Sequence, residues 1–229
     1  MKAVGLIGVG RMGKVLTGKL ASHVNLKIFD RDENRLLTVS RQLGVTAAAN
    51  LGELVELGTI ILVVPDREVI SLIKEFNQLG QPINIINVAT NVTKDVMAET
   101  ASAHLRCIGT KFVAQAKEMA QGAEPIIIVD EEPAELAALV QAIFAPVGKI
   151  IFGQADCVAY INTQAAEQAL TAAVLIEETL CRQAYASPDV IKSAIRQVAA
   201  GIMKAYADDD LGPFAREVVS AVRSKLSKQ

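Results

Sequence analysis

Short apolar runs alternate with longer amphipathic stretches from the N-terminus to about residue 153. This alternation is typical of a parallel β-sheet that carries helices on both faces. The run Ile60-Ile61-Leu62-Val63-Val64 has no polar position, as expected for a central strand that is covered on both sides. In chain order, the pattern predicts strands at Ala3–Gly8, Leu26–Asp30, Val45–Ala48, Thr59–Val64 and Ile83–Val88, with later additions at Ile126–Val129 and Lys149–Phe152.

The pattern changes at about Gln154, after which it contains no strand signal. Three helices are predicted here from the spacing of the apolar residues. The capping pair Ser187-Pro188 marks the start of the second helix, and the break at residues 208–213 separates it from the third. The three helices cover 156–186, Pro188 to about Tyr206, and the segment after the break to about Leu226. The sequence therefore predicts an α/β domain with a mostly parallel sheet at residues 1–153, followed by a small all-α domain at residues 154–229.

The first of these helices is apolar over much of its circumference. Three helices cannot bury such a surface among themselves, because each one needs a partner for its own apolar stripe. A second copy of the chain is the simplest cover. We therefore expect a homodimer that forms through the C-terminal helices.

A glycine-rich turn, Gly8-Val9-Gly10-Arg11-Met12-Gly13, lies between the first predicted strand and the helix that follows it. In this context Gly8 permits the tight turn, Gly10 lets backbone N–H groups approach a pyrophosphate, and Gly13 lets the helix pack close to the strand. Asp30 ends the second strand at the spacing that a dinucleotide-binding Rossmann domain requires. The sequence thus predicts a Rossmann domain that binds NAD(P)H.

The choice between NAD and NADP is open at the level of the sequence. Asp30 would hydrogen-bond the ribose hydroxyls and repel a 2′-phosphate, which favours NAD. Arg31 and Arg35 could instead neutralise that phosphate, or could be solvated residues at a helix start. Further candidate cofactor residues lie in the turn and at the ends of the fourth and fifth strands, namely Arg11, Met12, Val64, Pro65 and Ala89.

Charge and hydropathy exclude several classes of partner. A net charge of -2 with scattered signs gives no basic stripe for nucleic acid. No apolar run approaches the roughly 18 residues of a membrane span, and the first strand begins where a signal peptide would lie, so a cytoplasmic protein is expected. The three cysteines and two histidines lack the spacing of metal ligands, so no metal site is expected.

The segments Gly5–Gly13, Phe29-Asp30-Arg31 and Ile60–Pro65 resemble pyrroline-5-carboxylate reductases and the wider 6-phosphogluconate dehydrogenase-like superfamily of NAD(P)-binding proteins. The order of the later elements is similar too, from Phe144–Lys149 to Val218-Val219-Ser220. The resemblance implies a Rossmann domain followed by a helical dimerisation domain. It also implies an NAD(P)-dependent oxidoreductase that transfers a hydride between nicotinamide and a small carbonyl or imine.

The substrate motifs differ from those of the reductases. Their serine- and glycine-rich turn is replaced by Asn162-Thr163-Gln164-Ala165-Ala166-Glu167, in which the Glu167 carboxylate would oppose a substrate carboxylate. Their asparagine-containing motif is replaced by Gly109–Val113, and the diglycine segment after Ser220 is missing. We therefore do not expect pyrroline-5-carboxylate to be the substrate, which the sequence leaves unidentified.

The candidate catalytic residues are Lys111, Asn162 and Glu167. Lys111 could act as an acid or orient a carboxylate, and Glu167 could exchange a proton if desolvation raised its pKa. Both could equally be solvated charges, Lys111 in a loop and Glu167 on a helix. The other polar candidates for the cleft are Asn87, Thr90 and Gln164. A non-catalytic protein that senses the dinucleotide is the alternative, because fold and cofactor site do not by themselves imply turnover.

Overall fold

The computed structural model describes residues 2–184 and 186–227. Its contacts divide the chain into two compact units, 1–163 and 164–229. The division falls inside a helix, ten residues beyond the boundary that composition predicts.

The first unit contains an eight-stranded sheet and the helices that connect its strands. The strands are β1 (Ala3–Ile7), β2 (Asn25–Phe29), β3 (Thr46–Ala47), β4 (Thr59–Leu62), β5 (Ile83–Asn87), β6 (Leu105–Val113), β7 (Ile126–Val129) and β8 (Lys149–Phe152). The helices are α1 (Arg11–Leu20), α2 (Glu33–Leu43), α3 (Leu51–Val55), α4 (Asp66–Asn77), α5 (Lys94–Thr100), α6 (Ala116–Ala120) and α7 (Ala134–Phe144).

The strand order is β3-β2-β1-β4-β5-β6-β7-β8, and every pair is parallel except the antiparallel pair β6 and β7. The order reverses between β1 and β4, which places a crevice beyond their carboxyl ends. The predicted Rossmann domain with a mostly parallel sheet is confirmed.

The core lies on both faces of the sheet. Alternate residues of a strand point to opposite faces, and accordingly Leu6 and Ile61 belong to one buried apolar cluster whereas Ile7, Ile60 and Leu62 belong to the other. All four residues of β4 are buried, as predicted for the first three residues of the run, Ile60, Ile61 and Leu62; Val63 and Val64, which follow the strand, are partly buried.

Strand β6 is the main element that the hydrophobic pattern misses. The interpretation of Lys111 as a solvated loop charge is wrong, because the residue lies in β6 and is fully buried. Polar residues and a glycine interrupt the apolar run of this strand, and Gly109 and Lys111 make hydrogen bonds to segments that are distant in sequence. For example, the Gly109 N–H donates to Asp130 Oδ2 at 3.0 Å, across 21 residues.

The helical region begins with α8 (Cys157–Cys181), which crosses the division between the units. It continues with α9 (Pro188–Ser193), a π-helical stretch (Ala194–Ala199), α10 (Ala200–Ala207) and α11 (Pro213–Leu226). The predicted capping residue Ser187 accepts a hydrogen bond from the Val190 N–H. The predicted helical second region is confirmed, although α8 ends earlier than the pattern indicates; Tyr185, within the predicted span, lies outside the described residues.

None of the described helices is long and apolar enough to cross a membrane. Within 2–184 and 186–227, no group of three or more histidine, cysteine or acidic residues is arranged to hold a metal ion. The three cysteines are free thiols.

Candidate functional site

The glycine turn connects β1 to α1 through two positions that accept only glycine. Gly8 has a φ of +95°, and a Cβ there would lie 2.7 Å from Val64 Cγ1. A Cβ at Gly13 would overlap the carbonyl oxygen of Gly8, so that the first turn of α1 rests directly on the end of β1. These two contacts provide the tight turn and the close helix packing that the sequence predicts.

Gly10 differs from the other two glycines because no protein atom lies within 4 Å of the place where its Cβ would be. It occupies the position before α1, which has neither a side-chain cap nor an acidic residue in its first turn. The N–H groups at the start of a helix carry partial positive charge and bind anions. The turn is therefore open and electropositive at the point where a pyrophosphate would bind.

Asp30 holds the turn in place. Its Oδ2 accepts a hydrogen bond from the Val9 N–H at 2.8 Å, and its Oδ1 accepts one from the Asp32 N–H at 2.9 Å. The Arg35 guanidinium lies 3.4 Å from Oδ2. The carboxylate thus bonds to the chain itself at both oxygens, and its contact with a ribose stays a prediction.

A cavity of about 360 Å³ lies beside the turn. It brings together six of the predicted cofactor residues, which are Gly8, Gly10, Asp30, Arg31, Val64 and Pro65. The side chain of Arg31 is 59% exposed and that of Arg35 49% exposed, and both line this cavity. Arg31 Nη1 lies 3.6 Å from Glu68 Oε2. Arg11 lines a neighbouring surface depression together with Gly10 and Lys14.

A second cavity, of about 280 Å³, lies at the carboxyl ends of β4 and β5. It contains the predicted residues Met12, Val64, Ala89 and Asn162. Asn162 Nδ2 donates to the Phe112 carbonyl at 2.9 Å, which fixes this amide at the edge of the cavity. The full lining is Met12, Val63, Val64, Asp66, Val88, Ala89, Thr90, Asn91, Phe112, Ala114 and Asn162. Asp66 is the only ionisable side chain among these residues.

Lys111 lies behind this cavity and is absent from its lining. Its ammonium donates to the carbonyl oxygens of Ala89 and Val92, the latter at 2.6 Å. Burial lowers the pKa of Lys111 from 10.5 to about 8, although Asp156, Asp130 and Asp66 oppose this effect by favouring the charged form.

Glu167 is exposed, belongs to the second unit, and accepts a hydrogen bond from Gln164 Nε2 at 3.2 Å. Its role in proton transfer stays a prediction.

Asp130 is a buried acidic residue near Lys111 that sequence reasoning missed. Its two oxygens accept the N–H groups of Gly109 and Ala155, both at 3.0 Å. Asp130 could have been identified by the same pattern as Asp30, because both are acidic residues directly after an apolar strand.

Comparison with known proteins agrees with this geometry. Residues 3–91, which contain the glycine turn and strands β1 to β5, match the family described as NADP oxidoreductase, coenzyme F420-dependent. A search of curated proteins finds no match.

Solved structures of similar fold include a pyrroline-5-carboxylate reductase from Coxiella burnetii, with a TM-score of 0.72 and 13% identity over 98% of this chain and 92% of that one. A variant imine reductase from Myxococcus stipitatus in complex with NAD+ has a TM-score of 0.65 and 15% identity, over 98% and 77%. A reductive aminase from Aspergillus terreus in complex with NADPH has a TM-score of 0.64 and 16% identity, over 91% and 75%. Over almost its whole length the chain therefore has the fold of these reductases, and its residues 3–91 match the family of coenzyme F420-dependent NADP oxidoreductases.

Proposed function

We propose that the chain is an NAD(P)-dependent oxidoreductase that transfers a hydride between nicotinamide and a small imine or carbonyl compound. The observation that carries this proposal is the position of the two cavities. The cavity beside the glycine turn and the one at the ends of β4 and β5 share Val63 and Val64, and Gly10 lies open beside the first. A dinucleotide with its pyrophosphate at Gly10 would place adenosine in the first cavity and nicotinamide in the second.

The second cavity is suited to a reaction between uncharged or cationic partners. When bound, the nicotinamide supplies the hydride. Val63, Val88 and Phe112 form an apolar part of the lining, and the amide of Asn162 can orient a substrate heteroatom. Asp66, the only ionisable residue in the lining, attracts a protonated imine and repels a carboxylate. An imine without a carboxylate is therefore the preferred substrate class.

The test is a binding measurement followed by a turnover screen. We expect NADH or NADPH to bind, as detected by the change in reduced-nicotinamide fluorescence. Cofactor oxidation at 340 nm is then followed with uncharged cyclic imines, aldehydes and 2-oxo acids, with pyrroline-5-carboxylate as the control substrate. Oxidation with an uncharged imine supports the proposal. Binding without turnover across the panel would instead favour a dinucleotide sensor, and no binding of either cofactor would contradict both functions.

We further propose that NADPH is the preferred cofactor. Asp30 already accepts hydrogen bonds from Val9 and Asp32 and lies beside Arg35, so its charge is partly compensated before any ligand binds. Arg31 and Arg35 remain exposed at the same cavity, where a guanidinium can bind a 2′-phosphate in a bidentate manner.

Replacement of Arg31 by alanine is expected to raise the dissociation constant of NADPH by about tenfold, because a charge-assisted hydrogen bond contributes roughly 1.5–3 kcal/mol. The constant for NADH should change by less than about twofold. Arg41→Ala is the matched control, since Arg41 is an exposed arginine on α2 that does not line the cavity. Equal losses for the two cofactors would show that Arg31 does not contact the 2′-phosphate.

A homodimer that forms through the C-terminal helices is also proposed. Among the described residues of the second unit, Ile191 is the only one that is buried. Large apolar side chains are exposed on each of its longer helices, including Leu170 (66%) and Leu175 (61%) on α8, Ile202 (50%) on α10, and Phe214 (78%) and Leu226 (64%) on α11. Apolar surface of this extent is typical of an interface, and a second copy of the chain would cover it.

A further inference from the structure

The loop that connects β5 to α5 forms one wall of the 280 Å³ cavity, through residues Val88 to Asn91. Two buried side chains from neighbouring strands bond to its backbone. Asn87, at the end of β5, accepts a hydrogen bond from the Ala89 N–H at 3.0 Å and donates one to the Val92 carbonyl at 3.1 Å. Lys111, in β6, donates to the carbonyls of Ala89 and Val92. The loop is thus fixed at both ends by the same two side chains.

The register of the sheet explains why Lys111 reaches this loop. Strand β5 ends at Asn87, whose partner in β6 is Gly109, whereas β6 continues to Val113. Lys111 therefore lies on the part of β6 that extends beyond the end of β5. From this position its ammonium reaches the carbonyl groups of the loop, which is the first segment beyond β5.

Burying an ammonium group costs free energy, so the contact of Lys111 with the loop is expected to have a function beyond filling the core. A buried charge is expensive unless it is hydrogen-bonded and compensated. Here the ammonium has two carbonyl partners. Carboxylates from three further segments also favour its charged form: Asp66 at the start of α4, Asp130 after β7, and Asp156 before α8. Asp66 also accepts a hydrogen bond from Asn91 Nδ2 at 2.9 Å, which holds the exposed side of the same loop.

We propose that Lys111 is a positioning residue: its ammonium holds the Ala89–Val92 loop in the conformation that forms the nicotinamide side of the cavity. It acts through the loop and does not line the cavity itself. The inference rests on the proposed function, because the shape of this wall matters for binding only if the cofactor lies against it.

The test compares Lys111→Met with the control Lys94→Met. Methionine keeps the length and volume of lysine but cannot donate, and Lys94 is an exposed lysine just beyond the same loop. With NADPH and NADH as probes, we expect Lys111→Met to raise the dissociation constant by about tenfold at about pH 7, since two charge-assisted hydrogen bonds to the loop are lost. Lys94→Met should stay within about twofold of the wild type.

Measuring cofactor affinity and protein stability as functions of pH distinguishes a positioning role of Lys111 from a purely structural one. Because burial lowers the pKa of Lys111 to about 8, the folded protein loses this proton between about pH 8 and 10.5 while the unfolded chain retains it. The stability of the wild type relative to Lys111→Met therefore rises with pH over this range. Cofactor affinity should change in the opposite direction, falling severalfold in the wild type between about pH 7 and 9.5 as the charge on the loop contact is lost. Lys111→Met should show no such fall, and this comparison removes the contribution of any other group whose protonation changes over the same pH range.

The outcomes are distinguishable. If the wild type binds neither cofactor, the proposed function fails, and this inference fails with it. If the wild type binds but Lys111→Met binds equally well, or if the wild-type affinity is the same at both pH values, this inference alone is overturned. Should Lys111→Met not fold, the wild-type affinity profile decides: a severalfold fall between about pH 7 and 9.5 supports positioning, and a constant affinity contradicts it.

Discussion

Replacement of Gly13 by alanine is expected to lower the free energy of unfolding by more than about 3 kcal/mol, because the new methyl group would overlap the Gly8 carbonyl oxygen. Gly8 directly follows β1, and its N–H donates a hydrogen bond to the Phe29 carbonyl at 2.8 Å. The Gly8 carbonyl therefore has little room to move away from the new methyl group. Urea unfolding followed by circular dichroism measures the change. A Gly13→Ala protein as stable as the wild type would contradict the close helix packing.

Gly10→Ala, in the same turn, is expected to retain stability but to lose cofactor affinity. No protein atom lies within 4 Å of the added methyl group, so stability should fall by less than about 1 kcal/mol, the scale of a helix-cap substitution. Cofactor affinity should fall by at least about tenfold, because the methyl group occupies the space where the pyrophosphate approaches the backbone.

Gly18→Ala is the control for both variants. It introduces the same methyl group into the same helix, where the nearest neighbour, Leu43 Cδ2, lies at 3.8 Å. Stability and cofactor affinity should both be retained. Wild-type affinity in Gly10→Ala would place the pyrophosphate elsewhere.

Replacement of Leu170 and Val174 by glutamate is expected to convert the proposed dimer to a monomer. These residues lie four apart on α8, are 66% and 55% exposed in the single chain, and share one helix face. Burying two unpaired carboxylates in an apolar interface costs several kcal/mol, which weakens the dimer by at least about a hundredfold.

Size-exclusion chromatography with light scattering at micromolar concentration measures the result. The wild type should have about twice the 24.4 kDa mass of the chain, and the double variant about that of one chain. Gln168→Glu is the control: it adds one carboxylate at an exposed polar position of α8 and should remain dimeric. A monomeric wild type would contradict the proposed dimer.

The elements that depend on local sequence were predictable. Strands β7 and β8 have the predicted bounds, and β1, β2, β4 and β5 differ by one or two residues at their ends. Short runs rich in apolar and β-branched residues, bounded by polar or glycine-containing segments, predict such strands from local sequence. In contrast, β6 was missed because Gly109, Thr110 and Lys111 interrupt its apolar pattern. The Gly109 N–H and the Lys111 ammonium are buried with partners that are distant in sequence, Asp130 and the β5–α5 loop.

The sequence by itself determined the strand–turn–helix that carries the glycines, because the positive φ of Gly8 and the contact of Gly13 with the Gly8 carbonyl both arise within the turn. Tertiary structure alone decided that Asp30 accepts a hydrogen bond from the turn, 21 residues away in the chain. It also decided that Lys111 donates hydrogen bonds to the loop carbonyls of Ala89 and Val92, 22 and 19 residues away. Such contacts depend on strand order and register, which bring residues distant in the chain together. The same nonlocal packing buries the Lys111 ammonium and lowers its pKa, and no local pattern specifies either outcome.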